Sequence, residues 1–94
     1  MNREILMKIL SENEYPPHIF ESVIAKIEKF SHDMQIAFEL WVNEGKAPLM
    51  VKEGYSFEIL CKDYGMNPVG AFLTLDWLER EPLQASLALR DGIK

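Results

Sequence analysis

Apolar residues along this chain recur at intervals of three and four and almost nowhere at two, a pattern that predicts helices throughout. Ile5, Leu6, Ile9 and Leu10 make one stripe on a first helix that ends near Ser11 to Asn13. Tyr15-Pro16-Pro17 imposes an extended link, because a residue that precedes proline avoids the helical region. Pro17 suits the first turn of a second helix, where its missing N–H costs nothing. Phe20, Val23, Ile24, Ile27 and Phe30 line one face of that helix. Ser31 is placed to cap a third helix opened by His32 and Asp33. Met34, Ala37, Phe38, Trp41 and Val42 continue the apolar stripe, and Gly45 stops it.

Residues 46–55 lose the helical period. Pro48 and Gly54 punctuate them, and Leu49-Met50-Val51 reads either as a helical turn or as a short extended piece. A long structureless connection is unusual in so small a domain, so these three side chains are expected to pack on the core. Ser56 then caps a fourth helix with Phe57, Leu60, Cys61 and Tyr64 inward and Gly65 at its end. Asn67-Pro68 is the sharpest boundary in the chain, a capping residue followed by proline at the first helical position. A fifth helix runs from there to Arg80. Pro82 opens a sixth with Leu83, Leu87 and Leu89, closed by Gly92. The pattern predicts an all-α fold: one domain over residues 1–94, a compact bundle of five to six short helices with a helix-turn-helix-like pair over 56–80.

The fifth helix carries more apolar surface than one face requires. Ala71, Leu75 and Leu78 fall on one side, Val69 and Phe72 on another, and Leu73 and Trp77 further round. Asp76, Glu79 and Arg80 form its polar strip, with Asp76 and Arg80 spaced for an i,i+4 pair. Gly70 and Thr74 leave a shallow groove for a neighbouring helix. Two readings fit this girth. The helix is central and surrounded by its neighbours, or part of it is an interface formed by Val69, Phe72, Leu73, Asp76 and Trp77, since an apolar patch on a small domain marks a partner site.

Composition narrows the function. The 94 residues are 48% hydrophobic and 27% charged, the profile of a folded globular domain. One cysteine, Cys61, excludes an intrachain disulfide framework and suits a reducing compartment. It lies on the inward stripe of the fourth helix, which makes it a small buried hydrophobe before it is a nucleophile. The acid at Glu4 and the base at Lys8 break any secretory pattern, and no apolar run is long enough to span a membrane. A cytoplasmic protein is expected. A net charge of −5 argues against sequence-independent affinity for nucleic acid or anionic lipid.

Two short patterns carry resemblances. Cys61 four positions before Gly65, Met66 after it and Asn67-Pro68 opening the next helix resemble the helix-turn-helix of DNA-binding proteins. That resemblance implies a recognition helix over 68–80 and a DNA-binding regulator, with residues from Met66 to Thr74 facing the duplex. The charge pattern opposes it: from Ser56 to Arg80 two bases stand against four acids, a net of −2, and Arg80 is the only base of the second helix. His18, His32-Asp33, Asp63 and Asp76 fall in an order similar to the metal-binding set of HD-type phosphohydrolases, which implies metal-activated water. Solvated histidines at helix ends explain the same residues more simply. There is no phosphate loop, nucleophile elbow, Cys-x-x-Cys or His-x-x-x-His.

The sequence therefore predicts a small helical protein-interaction module without catalytic activity or cofactor, whose partner is protein, either a second copy in a homodimer or another chain.

Overall fold

The computed structural model describes residues 1–92. Six α-helices and one two-stranded hairpin are present among them. Helix α1 (Arg3–Glu12) starts where the Asn2 side chain accepts the Glu4 N–H at 2.6 Å, and it buries Leu6, Ile9 and Leu10. Ile5 stays outside that stripe. Pro16 is extended, as the Pro-Pro pair requires. Pro17–Ile19 then forms a 3₁₀ turn, so α2 (Phe20–Glu28) begins three residues later than proline at a first helical position would have it. Val23, Ile24 and Ile27 face inward. Ser31 caps α3 (His32–Glu44) by accepting the Met34 N–H, and Gly45 ends it at φ 69°, a left-handed conformation that glycine adopts without steric cost.

From Gly45 the chain turns back along α3. Glu79 marks the return: one carboxylate oxygen accepts the Ser31 hydroxyl at 3.1 Å and the other lies 3.9 Å from the Lys52 ammonium. Residue 52 thus comes close to the start of α3 although residue 45 sits at its end. The lengths agree, since a 13-residue helix and six extended residues each span roughly 20 Å. Strands β1 (Val51–Lys52) and β2 (Tyr55–Ser56) pair antiparallel, Val51 with Ser56 and Lys52 with Tyr55. Glu53 and Gly54 between them both have positive φ, 51° and 81°, the signature of a tight I′ hairpin turn.

Ser56 also caps α4 (Phe57–Lys62), accepting the Ile59 N–H. Gly65 at φ 67° lets the Met66 N–H return to the Leu60 carbonyl. Asn67 then caps α5 (Pro68–Arg80), its side chain accepting the Gly70 N–H at 2.7 Å. Glu81 is the hinge into α6 (Pro82–Arg90).

Helix α5 is the centre of the domain. It packs against α3, α4, α6 and β1, and it buries Val69, Ala71, Phe72, Leu75, Asp76 and Leu78. Phe72 is the aromatic hub: its ring centroid is 5.1 Å from that of Phe38, 5.6 Å from Trp41 and 5.3 Å from Phe57. The groove expected over Gly70 and Thr74 receives no helix. Tyr15, from the extended link, covers its Gly70 end: its hydroxyl donates to the Asn67 side chain at 3.1 Å and lies 3.6 Å from where a Cβ on residue 70 would stand.

Two expectations about packing are corrected. Of Leu49-Met50-Val51 only Met50 packs on the core; Leu49 is 96% exposed and Val51 60%. The extended return along α3 sends alternate side chains to opposite sides, so neighbouring apolar residues cannot all point inward. On α6 the buried residues are Ala85 and Leu89, while Leu83 and Leu87 are exposed. Leu83 and Leu87 are one turn apart on the side opposite Ala85, and the helix turns the face with the small residue to α5.

Candidate interaction surface

Much of the wide girth of α5 is consumed by its neighbours. Val69 and Phe72, two of the five residues expected at an interface, are fully buried, and Asp76 is only 4% exposed. Packed against their own chain, these three side chains offer a partner little surface, whereas the side of α5 that carries Leu73 and Trp77 stays partly open. Leu73 and Trp77 are half-buried. They border a shallow hollow of about 310 Å³ shared with Lys26, Thr74 and Arg80. The buried Asp76 carboxylate accepts the Arg80 Nε–H at 2.9 Å. That contact answers the charge of the polar strip within the helix.

The pair α4 and α5 does pack across the turn at 63–67, as the helix-turn-helix resemblance implies. Its second helix is the core of the domain rather than an outward reader, and its one base is held by Asp76. The residues of the phosphohydrolase pattern are dispersed. His18 lies in the exposed 3₁₀ turn, His32 and Asp33 open α3 in solvent, Asp63 is the exposed end of α4, and Asp76 is buried on α5. Among the described residues no three His, Cys, Asp or Glu side chains converge as a metal site would require. Cys61 is half-buried, and burial pushes its thiol above the ordinary range, which disfavours the reactive thiolate.

An apolar surface that the described residues leave uncovered beside a hollow lies on α3. Met34 and Phe38 enter the core, and the opposite face presents Ile36 and Leu40, one turn apart, 44% and 40% exposed. The extended segment 45–50 runs beside this face without filling the space between. A trough of about 410 Å³ results, with Ile36, Ala37 and Leu40 on one wall and Ala47, Pro48 and Leu49 on the other. Asp33 and Lys46 are its charged lining residues, and the Lys46 ammonium is 3.3 Å from Glu44. Ile36 also borders a second hollow of about 390 Å³ towards α1, formed with Met1, Leu6 and Ile27 beside Glu28 and Glu39. The Gln35 amide, donating to the Ile27 carbonyl at 2.7 Å, fixes α3 against the end of α2, and both residues line this second hollow.

Sequence periodicity passed over this face because Ile36 and Leu40 belong to no stripe of the core. The signal that would have found it is their i,i+4 spacing on the side of α3 opposite Met34 and Phe38. Leu83 and Leu87 repeat that spacing on α6, but neither lines the trough or the two hollows described above.

No helix among the described residues is long and apolar enough to cross a membrane. No family model, curated protein or solved structure matches the chain.

Proposed function

We propose that this chain is a non-catalytic protein-interaction module that docks a partner in the trough between α3 and segment 45–50. The observation that carries the reading is the trough itself: two walls of apolar side chains, one of them ending in a leucine that is 96% exposed, with none of the described residues laid between them. Leaving Leu49 in water forgoes roughly 1.5–3 kcal/mol of burial. A partner that covers it recovers that free energy, so exposed apolar walls of this kind are the usual mark of a docking site.

A helix fits the trough better than a strand. Ile36 and Leu40 offer ridges one turn apart, the spacing with which helices interdigitate. Segment 45–50 is a poor edge for strand addition, because Pro48 has no N–H to donate.

The test uses a synthetic helical peptide with leucine at i, i+3, i+4 and i+7 and glutamine elsewhere, followed by fluorescence anisotropy. Saturable binding by the native chain, lost in Leu49→Asp and Leu40→Asp variants of native circular dichroism, supports the reading. Equal binding by the variants, or none by the native chain, overturns it. Salt-sensitive binding to duplex DNA instead would favour the regulator implied by the α4–α5 pair.

A further inference from the structure

Resting on the reading of the trough as a docking surface, we infer that its partner is a basic amphipathic helix of another protein, and not a second copy of this chain. The inference comes from the charges that surround the apolar walls. Helix α3 carries Asp33, Glu39 and Glu44 and no lysine or arginine. At 100° per residue all three acids fall within 80° of Ile36, so they flank the exposed apolar pair on both sides. Glu28 joins them beside the second hollow. The single base of the trough, Lys46, is held by Glu44. Asp33, Glu39 and Glu28 have no ion-pair partner among the described residues. Asp33 and Glu39 therefore frame the apolar floor without an ion-pair partner among the described residues, while Glu44 holds Lys46 and Glu28 is within reach of the Arg3 charge.

A second copy is badly matched to this frame. A two-fold interface places the same patch on both sides, so Asp33, Glu39 and Glu44 of one copy would meet their own equivalents. Lys46 offers each copy one base against three acids, and that base is already engaged. Juxtaposed like charges cost free energy and select against a partner. A helix with leucines on one face and lysines or arginines beside them answers both properties of the trough. Its apolar side chains cover Ile36, Leu40 and Leu49, and its cations reach Asp33 and Glu39 across the rim.

The experiment compares three helical peptides that share one leucine pattern and carry lysine, glutamine or glutamate at the flanking positions. Affinity for the folded chain is read by anisotropy in about 0.05 M and about 0.5 M salt, where the screening length falls well below the separation of exposed charges. The lysine peptide is expected to bind roughly tenfold tighter than the glutamine peptide at low salt, with the advantage reduced at high salt. The glutamate peptide is expected to be the weakest. An Asp33→Lys/Glu39→Lys variant, which reverses the charge at two rim positions of α3, should abolish the lysine advantage and make the glutamate peptide the tightest of the three.

Equal affinity for the lysine and glutamine peptides overturns the basic partner while leaving the docking surface intact. Absence of binding by all three overturns both. Light scattering decides the second copy: the inference requires a monomer at low salt, and a dimer there that the Asp33→Lys/Glu39→Lys change disrupts would overturn it.

Discussion

Replacing Phe72 with alanine separates the two roles that the apolar girth of α5 suggests. The ring is fully buried and lies against Phe38, Trp41 and Phe57, at centroid distances of 5.1, 5.6 and 5.3 Å. Truncating a phenylalanine in such a setting costs about 3–5 kcal/mol, the sum of lost transfer free energy and a cavity that neighbours fill only in part. A chain of 94 residues has a total stability of about 5–14 kcal/mol at about 0.05–0.15 kcal/mol per residue. The variant therefore loses a large share of its stability, and its Tm falls by about 12 °C or more at about 4 °C per kcal/mol. Urea denaturation followed by circular dichroism measures the loss, with Ile36→Ala as the comparison. Ile36 is 44% exposed, so its truncation costs about 1 kcal/mol. The reasoning fails if Phe72→Ala costs less than about 1.5 kcal/mol. It fails equally if the native midpoint rises with protein concentration and the variant's does not, since that is the signature of a residue buried by association.

Other substitutions probe the ties around α5. Asn67→Ala removes both the cap on the Gly70 N–H and the acceptor of the Tyr15 hydroxyl, and should cost about 1–2 kcal/mol, against about 1 kcal/mol or less for Tyr15→Phe; equal losses in urea denaturation would contradict the shared role. Arg80→Ala strands a carboxylate that is 4% exposed and should cost about 1–3 kcal/mol. Adding Asp76→Asn should recover part of that loss, and strict additivity in the double-mutant cycle would refute the coupling. At Cys61 burial raises the thiol pKa, so alkylation by iodoacetamide should lag behind that of free cysteine at the same pH. Because the folded value lies above the unfolded one, the stability this group contributes is complete below the ordinary thiol pKa of about 8.5 and is lost as pH rises through the folded value. A urea midpoint that falls as steeply with alkaline pH in Cys61→Ala as in the native chain would contradict this.

The helices were legible wherever their ends carry capping chemistry. Ser31, Ser56 and Asn67 each accept a backbone N–H at the first turn, and Gly45 and Gly65 take the left-handed conformations that stop α3 and α4. These are local decisions of a few residues, which composition and spacing reveal. The hairpin at 51–56 was not legible, because two-residue strands show no alternation and Glu53-Gly54 is a weak form of the Asn-Gly or Asp-Gly turn signal. The side chains of 46–50 escaped for a related reason: their direction is set by the return of the chain along α3, held by Glu79 contacts to Ser31 and Lys52 that lie far apart in sequence. On α5 periodicity could say only that many sides are apolar. Whether Val69 and Phe72 meet a neighbour of the same chain or a partner depends on where α3, α4 and α6 are placed, which is a tertiary fact. The trough inherits the same dependence, since one of its walls is the misjudged segment.

The most direct test of the docking surface is a methyl NMR titration of the isoleucine, leucine and valine side chains with the glutamine-flanked leucine peptide. The account predicts that the methyl signals of Ile36, Leu40 and Leu49 shift together with one saturation curve while those of Val69, Leu75 and Leu83 hold still. Shifts centred on Leu73 at α5 or on Leu83 and Leu87 at α6, with Ile36 and Leu49 unmoved, would contradict it.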